Sequence, residues 1–138
     1  MKKIVDLVSK LSHSLGEMEE LSKEKYGFSE LTVTQMHYIE IISKLQNPNI
    51  TELAVELKLS KPTVTVGVDR LIEKGYIEKV QSDGDRRNSH LHLTSKGEKI
   101  NEMHDYAHTG FVELIKESMN PDELNKLEEL LEKLTLSL

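Results

Sequence analysis

A chain of 138 residues with 30% charged and only 4% aromatic side chains has room for one modest core and the profile of a helix-rich protein. With no cysteine it can have no disulfide framework, thiolate nucleophile or cysteine-based redox sensor. No apolar run reaches the roughly eighteen residues of a membrane span, and a net charge of −6 excludes binding to nucleic acid by overall charge alone.

The opening run MKKIVDLVSKLSHSLGE places two lysines ahead of apolar residues, as a secretion signal does. Its apolar residues are periodic rather than continuous, so it reads as an amphipathic helix and the protein as cytoplasmic. This first helix is predicted from about Lys2 to Lys25. Ile4, Val8, Leu11, Leu15 and Met18 follow a heptad-like spacing that needs a partner helix. Gly27 ends it. Thr34 is expected to cap a second helix, with Met36, Ile39, Ile42 and Leu45 on its apolar side and Asn47-Pro48 as its stop. Thr51 is expected to cap a short third helix, ELAVELK, that turns Leu53, Ala54 and Leu57 inward.

Ser60, with Pro62 in the first turn, starts a fourth helix from Lys61 to Lys74, and Gly75 stops it. Strands at about 76–81 and 89–94 follow, joined by Asp83-Gly84-Asp85-Arg86-Arg87. Thr94-Ser95-Lys96-Gly97 opens a long fifth helix to about Met119, and Asn120-Pro121 starts a sixth carrying Leu127, Leu131, Leu134 and Leu138. The fold class is mainly α with a small β-hairpin: a winged helix-turn-helix with N- and C-terminal dimerisation helices. One domain over 1–138 is expected, with dimerisation helices at about 1–28 and 97–138 and the winged unit at about 34–96. Apolar stripes on both terminal helices point to an intertwined homodimer; the alternative is that they pack on each other within one chain.

In the fourth helix Val64, Val68, Leu71 and Ile72 fall on one face and belong to the core. Lys61, Pro62, Thr63, Thr65, Val66 and Asp69 then face outward, densest near the N-terminus, the part of a recognition helix that enters the major groove. Threonine hydroxyls can bond base edges or phosphates, and the methyls of Thr63, Thr65 and Val66 can meet thymine methyls. Ser60 and the first helical amides offer a place for phosphate. Gly67 costs the helix about 1 kcal/mol relative to alanine, which suggests a close approach of neighbouring backbone. Arg86 and Arg87 are placed at the hairpin tip, where an arginine can enter a narrow minor groove with Asp85 holding it in place. From Lys58 to Lys99 nine basic residues face six acidic ones, a net +3 that leaves −9 for the rest of the chain. An acidic body with a locally basic reader is compatible with DNA binding.

The run TVT-x3-DRL-x2-KGYI-x2-V-x-S-x2-DRR-x-SHL-x-LT-x-KG, together with the flanking helices, resembles the MarR family of bacterial transcription regulators. The resemblance implies a homodimer with one winged reader per subunit on a pseudo-palindromic operator, in most members as a repressor whose affinity an effector tunes. Asp85 and Arg87 match the family's wing pair. Val66 stands where many members carry arginine or asparagine, so direct guanine reading from this helix is not expected.

His104 and His108 are four apart on the fifth helix, about 5–6 Å from each other on one face, and suit two-point ligation of Zn²⁺ if other donors join. The run H-D-Y-A-H lacks the glutamate of a zinc-protease helix. The chain resembles zinc-responsive members of the family at Glu19, His37, His104 and His108, which implies one metal held by those four residues. It also resembles, at HLHLTSKG and Gln35-Met36-His37, the branch that represses fatty-acid-synthesis genes, which implies an acyl effector. Met18, Met36 and Met103 then line an adaptable apolar pocket, or are ordinary core. His90 and His92 alternate on a wing strand, and His13 is a surface position. Double-stranded DNA, a second copy of the chain and an acyl, metal or other small effector are the expected partners. Two alternatives from other classes are a zinc hydrolase resting on the histidine pair and an interaction module that keeps the winged fold without touching DNA.

Overall fold

The computed structural model describes residues 1–82 and 85–138, with only the backbone of Ser82, Asp85, Arg86 and Arg87. In chain order the elements are α1 (Lys2–Tyr26), α2 (Val33–Leu45), α3 (Ile50–Leu57), α4 (Lys61–Glu73), β1 (Ile77–Ser82), β2 (Asp85–Leu93), α5 (Ser95–Ser118) and α6 (Pro121–Thr135). The mainly helical fold with one small hairpin is the class expected. No described helix is long and apolar enough to cross a membrane. The chain divides into two compact units: a central one, Glu20–Asp105, and a terminal one, Met1–Glu19 with Tyr106–Leu138.

The central unit is built on reciprocal helix caps. Thr32 Oγ1 accepts from the Gln35 amide while Gln35 Oε1 accepts from the Thr32 amide, both at 3.1 Å. Asn49 and Glu52 do the same for α3, at 2.8 and 3.2 Å. The caps of α2 and α3 therefore lie at Thr32 and Asn49, two residues before the expected Thr34 and Thr51. Threonine alone offers one acceptor, whereas a polar residue three ahead of Gln or Glu satisfies two orphan amides, and that pairing decides the start. Ser60 caps α4 as expected, and Asn120 caps α6 with Pro121 at the first helical position.

These starts direct the apolar faces to one core. Ile39, Ile42, Leu53, Val64, Val68 and Leu71 are wholly buried, and each contributes about 1.5–3 kcal/mol by leaving water. Ile72 and Leu57 pack partly against the same cluster, and Tyr38 and Ile41 join it from positions the helical stripe did not mark. Gly67 lies under Tyr38. A Cβ there would stand 2.5 Å from Cε2 of the ring, so a side chain, and not neighbouring backbone, demands the glycine. Met36 and Met103 are members of this core, the ordinary alternative for those residues.

The hairpin pairs antiparallel, Ile77 opposite Leu93 and Gln81 opposite Ser89, and then shifts register so that Ser82 faces Asp85. Strand β2 consequently begins at Asp85 rather than at 89, and the backbone of Arg86 and Arg87 belongs to the strand. The shift between Gln81 and Ser82 leaves residues 86–88 of β2 between the Ser82–Asp85 and Gln81–Ser89 pairs, as extra residues on one strand do in a bulge. The Leu91 amide donates to the Pro48 carbonyl at 2.8 Å, tying β2 to the turn between α2 and α3.

In the terminal unit the apolar stripes are in solvent. Ile4, Val8 and Leu11 of α1 are more than half exposed, as is Leu134 of α6. Val112, Ile115, Leu124, Leu127 and Leu131 line a groove of about 470 Å³ along α5 and α6.

Candidate nucleic-acid interface

The face of α4 opposite its core stripe carries the residues expected to read DNA. Lys61, Pro62, Thr63, Val66 and Asp69 are exposed and Thr65 is half-buried. Ser60 Oγ accepts from the Thr63 amide at 3.3 Å and shares a hydrogen bond with Thr63 Oγ1 at 2.8 Å. Those two hydroxyls thus satisfy each other in the free chain, leaving the Thr63 methyl and the Val66 side chain as the outward apolar surface. Asp69, the one carboxylate among the outward residues named, lies 3.8 Å from Lys79 Nζ on β1. A pair this exposed adds little stability, but it reduces the negative charge that the face offers to phosphate. The side chains of Asp85, Arg86 and Arg87 lie outside the described residues, as do Asp83 and Gly84.

The base of the wing is held by a cluster the sequence reading did not assemble. Tyr76, wholly buried, donates its hydroxyl to Glu30 Oε1 at 3.1 Å and packs edge-on against Phe28 with ring centres 6.0 Å apart. Lys96 Nζ sits 4.3 Å above the tyrosine ring and donates to the Lys74 carbonyl at 2.9 Å. Thr94 Oγ1 donates to the Gly75 carbonyl. Burial first, and then the bond to Glu30 and its charge, push the Tyr76 hydroxyl up to about 12. A hydrogen bond from its own backbone amide, then the Tyr76 hydroxyl, and more weakly the charges of Lys96 and Lys74, hold the Glu30 carboxyl below its usual value. The turn from α4 into β1 is thereby fastened to the start of α5. K-G-Y and T-S-K-G were legible as motifs; their mutual contact was not.

Of the four candidate metal ligands, His37 and His104 belong to the central unit and Glu19 and His108 to the terminal unit. In the central unit His104 Nε2 lies 3.3 Å and His37 Nδ1 4.0 Å from the same oxygen, Glu40 Oε2. In the terminal unit His108 Nε2 lies 3.8 Å from Glu19 Oε1. Glu40 was missed, although its position three residues after His37 places the two on one helical face. His13 is on the surface beside Glu17, as expected.

The MarR family model matches residues 31–89, which hold α2 through most of the hairpin. The crystal structure of Streptococcus pneumoniae FabT in complex with DNA superposes with a TM-score of 0.83 at 31% identity, covering 98% of this chain and 94% of that one. The chain belongs to the MarR family. Two curated relatives carry regulator names as well. The HTH-type transcriptional regulator YhjH of Bacillus subtilis is 26% identical over 92 residues, 67% of this chain and 53% of that protein. The HTH-type transcriptional regulator BilQ of Clostridioides difficile is 34% identical over 71 residues, 51% and 48% of the two chains. The chain spans about half the length of these curated relatives. As a MarR-family member whose relatives are regulators, it is not an enzyme, and the zinc-hydrolase alternative is set aside.

Proposed function

We propose that this MarR-family chain is a DNA-binding transcription regulator, a homodimer that represses from a pseudo-palindromic operator. The observation that carries the reading is the outward face of α4, with Lys61, Thr63, Thr65 and Val66 beside a hairpin bearing Asp85, Arg86 and Arg87. It occurs in a chain similar over nearly its whole length to FabT, whose structure holds DNA. Ser60 and Pro62 set the start of that helix, where its amides meet phosphate. Small methyl-bearing residues suit contact with thymine, and the two arginines suit a narrow minor groove. The half-exposed stripes of α1 and α6 support dimerisation, because apolar patches of that kind are seldom left in water. Selection of bound sequences from a random DNA pool tests the reading. A pseudo-palindrome with A·T-rich flanks supports it, and a pool that fails to enrich refutes it.

The effector reading with an observation of its own is zinc. His37 and His104 of the central unit each approach the same oxygen of Glu40, at 4.0 and 3.3 Å. Two imidazole nitrogens and a carboxylate oxygen are donors that fit zinc, and all three side chains are open enough to be reached. These residues would hold the ion between α2 and α5, beside the Glu40–His104 contact that already links the two helices. An acyl effector lacks such support, since Met36 and Met103 are packed in the core.

A further inference from the structure

A cleft of about 460 Å³ opens between the first turn of α2 and the outer face of α4, lined by Thr32, Thr34, Gln35, Tyr38, Thr63, Val66, Gly67, Arg70 and Leu71. Two of these, Thr63 and Val66, are residues assigned above to the DNA-facing surface. The cleft contains one charge, the Arg70 guanidinium, and no carboxylate. Most cations nearby are engaged: Lys79 with Asp69, Lys96 with the Lys74 carbonyl, and Lys74 with Gln35 Oε1 at 3.4 Å. Arg70 is exposed and, although its carbonyl accepts from the Lys74 amide, its guanidinium makes no hydrogen bond or ion pair among the described residues. The other polar groups here supply donors. Gln35 Oε1 already accepts from the Thr32 amide and Lys74, which turns the amide nitrogen of Gln35 away from those partners.

We propose that this cleft is a seat for a DNA phosphate, with Arg70 as its cation and Thr34 and Gln35 as neutral donors. The proposal rests on the DNA-binding reading above and extends it. An α-helix with its side chains is about 10–12 Å across and the major groove about 12 Å wide. With α4 in the groove, a sugar-phosphate ridge runs directly alongside it. The element packed on that side of α4 is the start of α2, and the gap between them presents one positive charge, hydroxyl and amide groups, apolar walls and no carboxylate. A planar guanidinium with five N–H groups matches a phosphodiester, and carries no base information when it binds one. Arg70 is thus a positioning residue that fixes the depth and register of α4.

The test uses the full chain and the duplex recovered by wild-type selection, with affinity followed by fluorescence anisotropy from 50 to 300 mM salt. Each phosphate neutralised contributes about 0.9 to the slope of log K against log[salt]. Arg70→Gln is therefore expected to lower the slope by about 0.9 per bound chain, with roughly eightfold weaker binding at 0.1 M salt. Its selected sequence should be unchanged, and Arg70→Lys should restore the slope. Thr34→Asp provides a second route: a carboxylate in the first turn of α2 favours the helix yet repels phosphate, so thermal stability should hold or rise while DNA affinity falls. Wild-type slope and affinity in both variants would overturn the seat while leaving the regulator reading intact. A changed base preference in Arg70→Gln would also overturn it, by assigning Arg70 to a base. A wild-type chain without salt-dependent DNA binding would overturn both.

Discussion

Replacing Tyr76 with phenylalanine tests the fastening of the wing base, because its effect must change with pH. The ring is wholly buried and its hydroxyl donates to Glu30 at 3.1 Å. Near neutrality the phenylalanine variant loses that bond and should be less stable by about 1 kcal/mol. The hydroxyl ionises near 10 in the unfolded chain and at about 12 in the folded one. Since the folded value is the higher, the unfolded chain releases its proton first, and folding stability falls as pH rises from 10 towards 12. Two units correspond to about 2.7 kcal/mol, of which about half, roughly 1.4 kcal/mol, is lost by pH 11. Lysines and the other tyrosines titrate in both proteins and cancel in the comparison. Urea unfolding of the two proteins at pH 8, 9, 10 and 11 should show wild type ahead by about 1 kcal/mol at pH 8 and level with the variant, or behind it, at pH 11. A gap that stays constant across that range would show that the hydroxyl is neither buried nor bonded as described.

Gly97→Ala should destabilise the chain. A Cβ at that position runs into the Tyr76 carbonyl oxygen and lies 3.3 Å from Leu93 Cβ. Backbone cannot step aside as a side-chain tip can, so overpacking of about 3 kcal/mol outweighs the gain of up to about 1 kcal/mol in helix propensity. The melting temperature should fall by roughly 8 °C, and an unchanged or higher value would refute the close approach of α5 to Tyr76. For the metal, isothermal titration of zinc into chelator-treated protein should show binding that His104→Ala and Glu40→Ala each remove. Silence in the wild type, or full binding by both variants, would remove zinc from the account.

The sequence carried the fold well where one residue type has one use. Ser60-x-Pro62 and Asn120-Pro121 start helices where expected because serine and asparagine cap and proline tolerates only the first turn. It misplaced the starts of α2 and α3 by two residues because Thr34 and Thr51 are also cap-type residues, and only the reciprocal bonds of Gln35 and Glu52 discriminate. Periodicity found Val64, Val68 and Leu71, since a helix has a single buried stripe. It could not find Tyr38, which is buried because Gly67 on another helix leaves room for its ring. The charged run between the strands looked like a loop, yet the backbone of Arg86 and Arg87 belongs to β2, where a register shift leaves them between two paired positions. Glu40 and Arg70 were passed over for the same reason. Each is an ordinary surface residue of its own helix, and gains significance only from a neighbour that folding brings to it: His104 for one, the first turn of α2 for the other.

The central claim is that this chain binds a specific DNA site through α4 and the hairpin. Its most direct test is a titration of the selected duplex and a scrambled duplex with wild-type protein and with Arg87→Glu, at 50 and 200 mM salt. Tight wild-type binding to the selected duplex alone, weakened about a thousandfold or more by the higher salt and abolished by Arg87→Glu, is the predicted result. Equal affinity for the two duplexes, or an affinity indifferent to both salt and the charge reversal, would contradict it.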